Sequence, residues 1–96
     1  MTVARKLATP TVQLETERVI VTEWRFEADA ETSWHRHAYD YVVIPQTTGQ
    51  LLIQTAEGES IAELVSGKSY ARSQGVEHNV INHNDYPFVF VEVELK

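Results

Sequence analysis

Hydrophobic and polar residues alternate with a period of two along most of the chain, and this alternation is typical of β-strands. Many of the alternating segments are rich in β-branched and aromatic residues, which strands prefer. No segment shows an apolar stripe with the 3.6-residue period of a helix. Strands are predicted at residues 18–26, 41–44, 51–55, 61–65, 69–72, 79–82 and 88–95. Many short strands separated by turn residues predict an all-β sandwich or barrel.

The last predicted strand, 88–95, carries apolar residues on both faces. One face carries valine and leucine at every second position, and the other begins with Phe88 and Phe90 and continues with Glu92 and Glu94. One face is therefore expected to fill the barrel and the other to meet a second sheet or subunit. A chain this small also buries a limited share of its surface. Together these features predict a homodimer.

Length and charge narrow the range of functions. The chain has 96 residues, which predicts one domain, with residues 1–11 as a loosely ordered segment and 12–96 as the barrel. Its net charge of −6, without a run of Lys or Arg, argues against nucleic-acid binding. The absence of cysteine excludes disulfides and thiolate chemistry. No signal-peptide core or membrane-length apolar run is present, so a cytoplasmic location and no membrane partner are expected.

Three histidines are the strongest sign of chemistry. His35 and His37 precede a predicted strand, and His78 follows a glycine turn some forty residues later. In an extended segment, residues i and i+2 share a face with Cα atoms roughly 6.5–7 Å apart. Two imidazoles so placed can converge on one ion at a metal–nitrogen distance of roughly 2 Å. A third nitrogen from another strand would complete a metal site with open positions.

The spacing of these residues resembles two motifs of the cupin superfamily. One motif reads Gly-x5-Pro-x-Gly-x2-His-x3-Asn, and residues 67–82 keep every spacing, with Ser73 in place of proline. The other is a His-x-His pair followed by a glutamate and a glycine, and residues 35–49 match it except at the glutamate. The resemblance covers about half the chain. It implies a single-domain double-stranded β-helix, or jelly-roll barrel, with His35, His37 and His78 as metal ligands.

The glutamate of the first motif is missing. In the family it lies four or five residues after the second histidine, where this chain has Tyr41 and Val42, and Asp40 falls one position short. Strand alternation places Tyr41 on the face of the histidines and Asp40 on the opposite face unless a bulge intervenes. Three alternatives follow: Tyr41 takes the place of the glutamate, the site is formed by three histidines alone, or a bulge delivers Asp40, which ranks last. Tyr41 is the predicted catalytic residue, as a proton donor.

Ligand chemistry suggests the ion and the substrate class. Imidazole suits Fe(II) and Zn(II), which lead the predicted cofactors, followed by Mn(II) and Ni(II). Three neutral imidazoles leave the charge of the ion uncompensated, which favours a small anionic or chelating substrate. The sequence thus predicts a dioxygenase or another metal-dependent enzyme, of lyase or isomerase type. The alternative is a non-catalytic cupin dimer that binds a small ligand or is purely structural.

Several other residues have two interpretations each. Arg72 could pair with a substrate carboxylate or form a surface ion pair, and Trp24 could be cavity wall or core. Trp34 is expected in outer packing or a dimer contact. His83 is expected to be exposed in a turn, and Asn82 to form hydrogen bonds with turn backbone.

Overall fold

The computed structural model describes residues 4–96, which form nine strands. These are β1 (Thr9–Glu15), β2 (Val19–Phe26), β3 (His35–Arg36), β4 (Asp40–Pro45), β5 (Gly49–Thr55), β6 (Gly58–Leu64), β7 (Tyr70–Arg72), β8 (Glu77–Asn82) and β9 (Phe88–Leu95). Within this range no helix has the length and apolar character needed to cross a membrane. The all-β prediction is confirmed.

The strands form two antiparallel sheets that enclose the core. The five-stranded sheet has the order β1-β2-β9-β4-β7, and the four-stranded sheet has the order β3-β8-β5-β6. The predicted hairpin is present, with β5 paired to β6 from Gly49↔Leu64 to Thr55↔Gly58. Consecutive strands often lie in different sheets, as β3 and β4 or β7 and β8 do. This crossing between sheets is the jelly-roll arrangement.

One end of the barrel is filled by aromatic side chains. Phe26 pairs with Phe88 across β2 and β9, and both are fully buried. The rings of Phe26 and Phe90 lie 5.5 Å apart between centroids. The next inward-facing row along the same strands pairs Trp24 with Phe90, and both of these residues line a cavity. The aromatic core therefore closes one end of the barrel, and the cavity begins one row further along.

The turn between β8 and β9 is held by Asn82, which is fully buried. Its Nδ2 donates to the carbonyl oxygens of Glu27 at 3.1 Å and Tyr86 at 2.8 Å. Its Oδ1 accepts from the backbone and side-chain nitrogens of Asn84. The predicted turn role of Asn82 is confirmed. The same turn explains Gly49, because a Cβ there would lie 2.6 Å from the Tyr86 hydroxyl.

The N-terminal boundary differs from the prediction. Strand β1 begins at Thr9 and pairs with β2 from Thr9↔Arg25, so residues 9–11 belong to the sheet. Ala8 is buried, and its N–H donates to the Glu31 carbonyl at 2.7 Å. All side chains of β1 are exposed, so the strand is held by backbone pairing and leaves no alternating signal in the sequence. Residues 1–3 of the predicted loose segment lie outside the described residues.

Candidate metal centre

The three predicted histidines converge on one point. The Nε2 atom of His37 lies 3.0 Å from Nε2 of His35 and 3.1 Å from Nε2 of His78. One ligand nitrogen from each ring falls within 4.8 Å of the others. His37 and His78 are buried, whereas His35 is half-buried. Three imidazole nitrogens this close form a set of donors that a single ion can bridge.

Strand pairing brings the rings together. His35 in β3 lies directly opposite His78 in β8. His37 follows β3, and its backbone is tied to the turn before β8, because its N–H donates to the Val76 carbonyl and its carbonyl accepts from the Gly75 N–H. Gly75 has a φ of 93°, a conformation that glycine adopts without steric cost. The glycine of the second motif thus forms the turn that sets the position of His37 relative to His78.

Hydrogen bonding orients the His35 ring. Its Nδ1 lies 2.9 Å from the Ser33 carbonyl oxygen, which can only accept, so Nδ1 carries the proton. The lone pair of Nε2 then points toward the other two rings. Ser33 has a φ of 75°, and this left-handed conformation presents its carbonyl to the ring. Such a partner on the far nitrogen is the usual way in which proteins fix a histidine ligand.

The buried histidines are neutral near pH 7. Burial, with smaller contributions from the neighbouring His35 and His78, lowers the pKa of His37 to about 4. Burial likewise lowers the pKa of His78 to about 4, with His35 as the second cause. A buried imidazolium lacks the hydration that stabilises its charge in water, so burial favours the neutral ring. Neutral rings keep the lone pairs that a metal ion requires.

Tyr41 and Asp40 lie on opposite faces of β4. The Tyr41 ring stacks on His37 with centroids 3.7 Å apart and an interplanar angle of 15°. Its hydroxyl is buried without a hydrogen-bond partner among residues 4–96, and burial raises the pKa of Tyr41. Asp40 is exposed, and its Oδ1 accepts from the Gln74 N–H at 2.7 Å. The alternative in which a bulge delivers Asp40 to the site is therefore wrong, because Asp40 caps a turn instead.

The histidines open into a cavity of about 420 Å³ between the two sheets. The five-stranded sheet contributes aromatic and charged side chains to its wall, namely Trp24, Tyr41, Tyr70, Arg72 and Glu92. Apolar residues such as Leu51 and Val80 line the side formed by the other sheet. The arrangement is a largely apolar chamber with a few polar groups, which is the usual form of a small-molecule site.

Known proteins resemble this chain along nearly its whole length. It is 56% identical over 92 residues to the beta-alanine degradation protein BauB of Pseudomonas aeruginosa, covering 96% of this chain and 97% of that protein. The crystal structure of a cupin domain from Bordetella pertussis Tohama I is 58% identical, with a TM-score of 0.97 and 99% of each chain covered. This chain belongs to the cupin superfamily.

More distant structures agree on the fold. An RmlC-like cupin with a double-stranded β-helix from Methanocaldococcus jannaschii has a TM-score of 0.76 at 14% identity, covering 99% of this cupin and 85% of that chain. No family model matches the sequence. The predicted cupin membership and double-stranded β-helix fold are confirmed, since the neighbours carry that fold and the described strands form it.

The structure places the remaining residues that the sequence singled out. Arg72 lines the cavity of this cupin, with its guanidinium 4.6 Å from the centroid of the Tyr70 ring, and it forms no ion pair within residues 4–96. Trp24 lines the cavity and also packs against the hydrophobic core. Trp34 is 52% exposed, and His83 is exposed in its turn as predicted.

The sequence did not mark Glu92 as part of the site. Glu92 is only 8% exposed and lines the same cavity as the histidines. The sequence contained an indication that Glu92 points into the barrel, because it shares a strand face with Phe88 and Phe90, which are both buried. A glutamate on the interior face of a barrel strand requires a partner or a function.

Proposed function

We propose that this cupin is a metal-dependent enzyme that holds a divalent transition metal with His35, His37 and His78 and acts on a small carboxylic acid. The observation that carries the proposal is the convergence of the Nε2 atoms of the three histidines in a cavity large enough for a small molecule. When Nδ1 carries the proton on each ring, as it does on His35, three Nε2 lone pairs face one another, and a cation between them gives all three a partner. No carboxylate takes part, so this is the three-histidine alternative.

The donor set limits the choice of ion. Three imidazole nitrogens suit Fe(II), Zn(II) and Ni(II), whereas Mn(II) prefers oxygen ligands. Fe(II) and Zn(II) therefore lead the proposed ions, followed by Ni(II) and Mn(II).

Two observations support a carboxylic acid as substrate. Arg72 presents a guanidinium to the cavity without an ion-pair partner in residues 4–96, and a guanidinium matches a carboxylate in geometry and charge. In addition, the 56% identical relative is named for the degradation of beta-alanine, a short amino acid. We therefore infer a substrate of that size and chemistry.

The reaction class proposed is oxygenation. When Fe(II) is bound, it supplies dioxygen activation and Lewis-acid polarisation of the substrate. The side chains of this cupin bind and orient the substrate and exclude water from it. Tyr41 keeps its proton, since burial raises the pKa of its hydroxyl, and it can donate a hydrogen bond to a substrate oxygen beside His37.

The first test is metal analysis of protein purified without a histidine tag. About one equivalent of transition metal per chain is expected in the wild type and in Asp40→Asn, whereas His37→Ala should lose it. Asp40→Asn is the matched control, because it alters a neighbouring carboxylate that points away from the site. Less than about a tenth of an equivalent, unimproved by added Fe(II) or Zn(II), would refute metal binding.

The second test is oxygen consumption after anaerobic loading with Fe(II). Oxygen uptake is measured with each of several candidate substrates: beta-alanine, other short carboxylic acids, diketones, thiols and catechols. Uptake in the wild type and in Asp40→Asn that is absent in His37→Ala supports the oxygenase. If the wild type consumes no more oxygen than His37→Ala with any of these compounds, oxygenation is refuted, and ligand-induced thermal shifts would then identify a binding protein.

We also propose that the cupin forms a homodimer through the outer face of its five-stranded sheet. An apolar row crosses this face by direct pairing, from Leu14 to Val21, Val93 and Val42. Leu14 is 52% exposed and the three valines are half-buried. An uncharged row is complementary to itself about a two-fold axis, which is what a symmetric dimer requires.

A further inference from the structure

A buried carboxyl group without a cationic partner among residues 4–96 lies on the cavity wall. Glu92 of β9 stands between Thr22 of β2 and Val43 of β4 on the interior face of the five-stranded sheet. It is 8% exposed, and the neighbouring Trp24 N–H is the polar group that favours its charged form. A carboxylate removed from water without an opposite charge is costly, so a group at this position is expected to meet a ligand.

Two aromatic residues flank this carboxyl group. Trp24 pairs with Phe90 and Tyr41 pairs with Glu94, so both lie diagonally next to Glu92 across the sheet. The Trp24 Nε1 and the Tyr41 hydroxyl are buried without hydrogen-bond partners among residues 4–96. Glu92 and its two neighbours thus form a polar patch, and all three residues line the cavity.

The surroundings of Glu92 suit a positive charge. The rings of Trp24, Tyr41, Tyr70 and Phe90 all line the cavity, and aromatic faces attract cations. Burial, together with the charge of Glu94, raises the pKa of Glu92 to about 7, although the Trp24 N–H acts in the opposite direction. A cation next to the carboxylate would offset these costs. Arg72 does not do so, because its guanidinium lies over the Tyr70 ring.

We propose that Glu92 is a substrate-binding residue that holds a positively charged amino group, so that the site selects short amino acids over simple carboxylic acids. The inference rests on the proposed function, since the carboxylate end of the substrate is assigned to the metal and Arg72. An ammonium group carries three donors, which can serve the Glu92 carboxylate and the Tyr41 hydroxyl oxygen. Its charge is also stabilised by the ring of Trp24.

Isothermal titration calorimetry at pH 8 tests this assignment with three probes. Beta-alanine carries both an amine and a carboxylate, propionate carries the carboxylate alone, and propylamine carries the amine alone. The first two are titrated into metal-loaded protein, and propylamine into metal-free protein. Glu92→Gln removes the charge and keeps the shape. Glu94→Gln is the matched control, because it removes the same charge from the same strand at a residue that does not line the cavity.

We expect Glu92→Gln to weaken beta-alanine binding by about 30-fold or more and to leave propionate binding unchanged. Propylamine should bind the wild type and not Glu92→Gln. Glu94→Gln should remain within about threefold of the wild type for every probe. Glu92→Asp keeps the charge, so it should still prefer beta-alanine to propionate. A thermal unfolding midpoint close to that of the wild type would show that Glu92→Asp keeps its fold.

Several results would overturn the assignment. Equal affinity of the wild type for propionate and beta-alanine is one such result, and unchanged beta-alanine affinity in Glu92→Gln is another. Tighter propionate binding by Glu92→Gln would also refute it, since the carboxyl group would then face an anion. A different result would refute the proposed function and not the role of Glu92: propionate binding that does not depend on the metal, or that survives in His37→Ala. Propylamine binding would still report on Glu92 in that case.

Discussion

The stability of the protein should depend on pH through Glu92, and the size of the effect follows from its burial. The pKa of Glu92 is about 7 in the folded protein, against 4.5 for an ordinary glutamate. Between these values the folded state holds a proton that the unfolded state has released. The free energy of unfolding therefore falls as pH rises through this range, unlike the usual behaviour of a carboxyl group whose folded pKa is lowered.

The magnitude can be estimated from the two pKa values. The difference between about 7 and 4.5, at about 1.4 kcal/mol for each unit of pKa, gives a loss of about 3–4 kcal/mol that is complete about one pH unit above the folded pKa. Glu92→Gln is neutral in both states and removes this loss. Its stability relative to the wild type should therefore increase by about 2–3 kcal/mol between pH 5 and pH 8.

Urea unfolding of ligand-free and metal-free protein, followed by tryptophan fluorescence, measures this difference. Comparing the two proteins at each pH cancels the contributions of His37 and His78, which become charged as pH falls. Several charged or titratable groups lie near Glu92 and remain in both proteins, namely Tyr41, Tyr70, Arg72 and Glu94. Glu94→Gln should show a smaller pH-dependent change, because Glu94 is only half-buried.

A constant difference between the wild type and Glu92→Gln across this range would refute the reasoning. It would mean that the carboxyl group is hydrated or paired in the folded protein. A difference that grows toward acid pH would also refute it, since the pKa of Glu92 would then be lowered rather than raised.

Three further predictions concern other parts of the molecule. Asn82→Ala should destabilise the protein by about 3 kcal/mol in urea unfolding, because it removes the side-chain hydrogen bonds to Glu27, Asn84 and Tyr86 and leaves a cavity at a fully buried position; a change below about 1 kcal/mol would contradict this. Gly49→Ala should cost about 1–3 kcal/mol by the same measurement, because the new Cβ would lie 2.6 Å from the Tyr86 hydroxyl; Gly49→Ala combined with Tyr86→Phe should recover part of the loss. Val93→Glu should convert a dimer to a monomer in light scattering, whereas Val65→Glu, at an exposed position outside that face, should leave the mass unchanged; a monomeric wild type would refute the proposed dimer.

The local features of this protein could be predicted from the sequence because they depend on a period of two. Alternation along the chain placed His35, His37 and Tyr41 on one face and Asp40 on the other, and the structure shows Tyr41 stacked on His37 and Asp40 outside the barrel. Asn82 could also be assigned to a turn, because its side chain forms hydrogen bonds with backbone groups only two and four residues away.

Tertiary structure alone decided which strands lie side by side, because pairing energy comes from residues far apart in sequence. The register of β3 on β8 places His35 opposite His78, and no local pattern specifies it. Strand β1 has no buried side chain, so only its pairing with β2 reveals it. Glu92 follows Phe88 and Phe90 on one strand face in the sequence, but its lack of a cationic partner within residues 4–96 depends on which side chains β2 and β4 bring beside it.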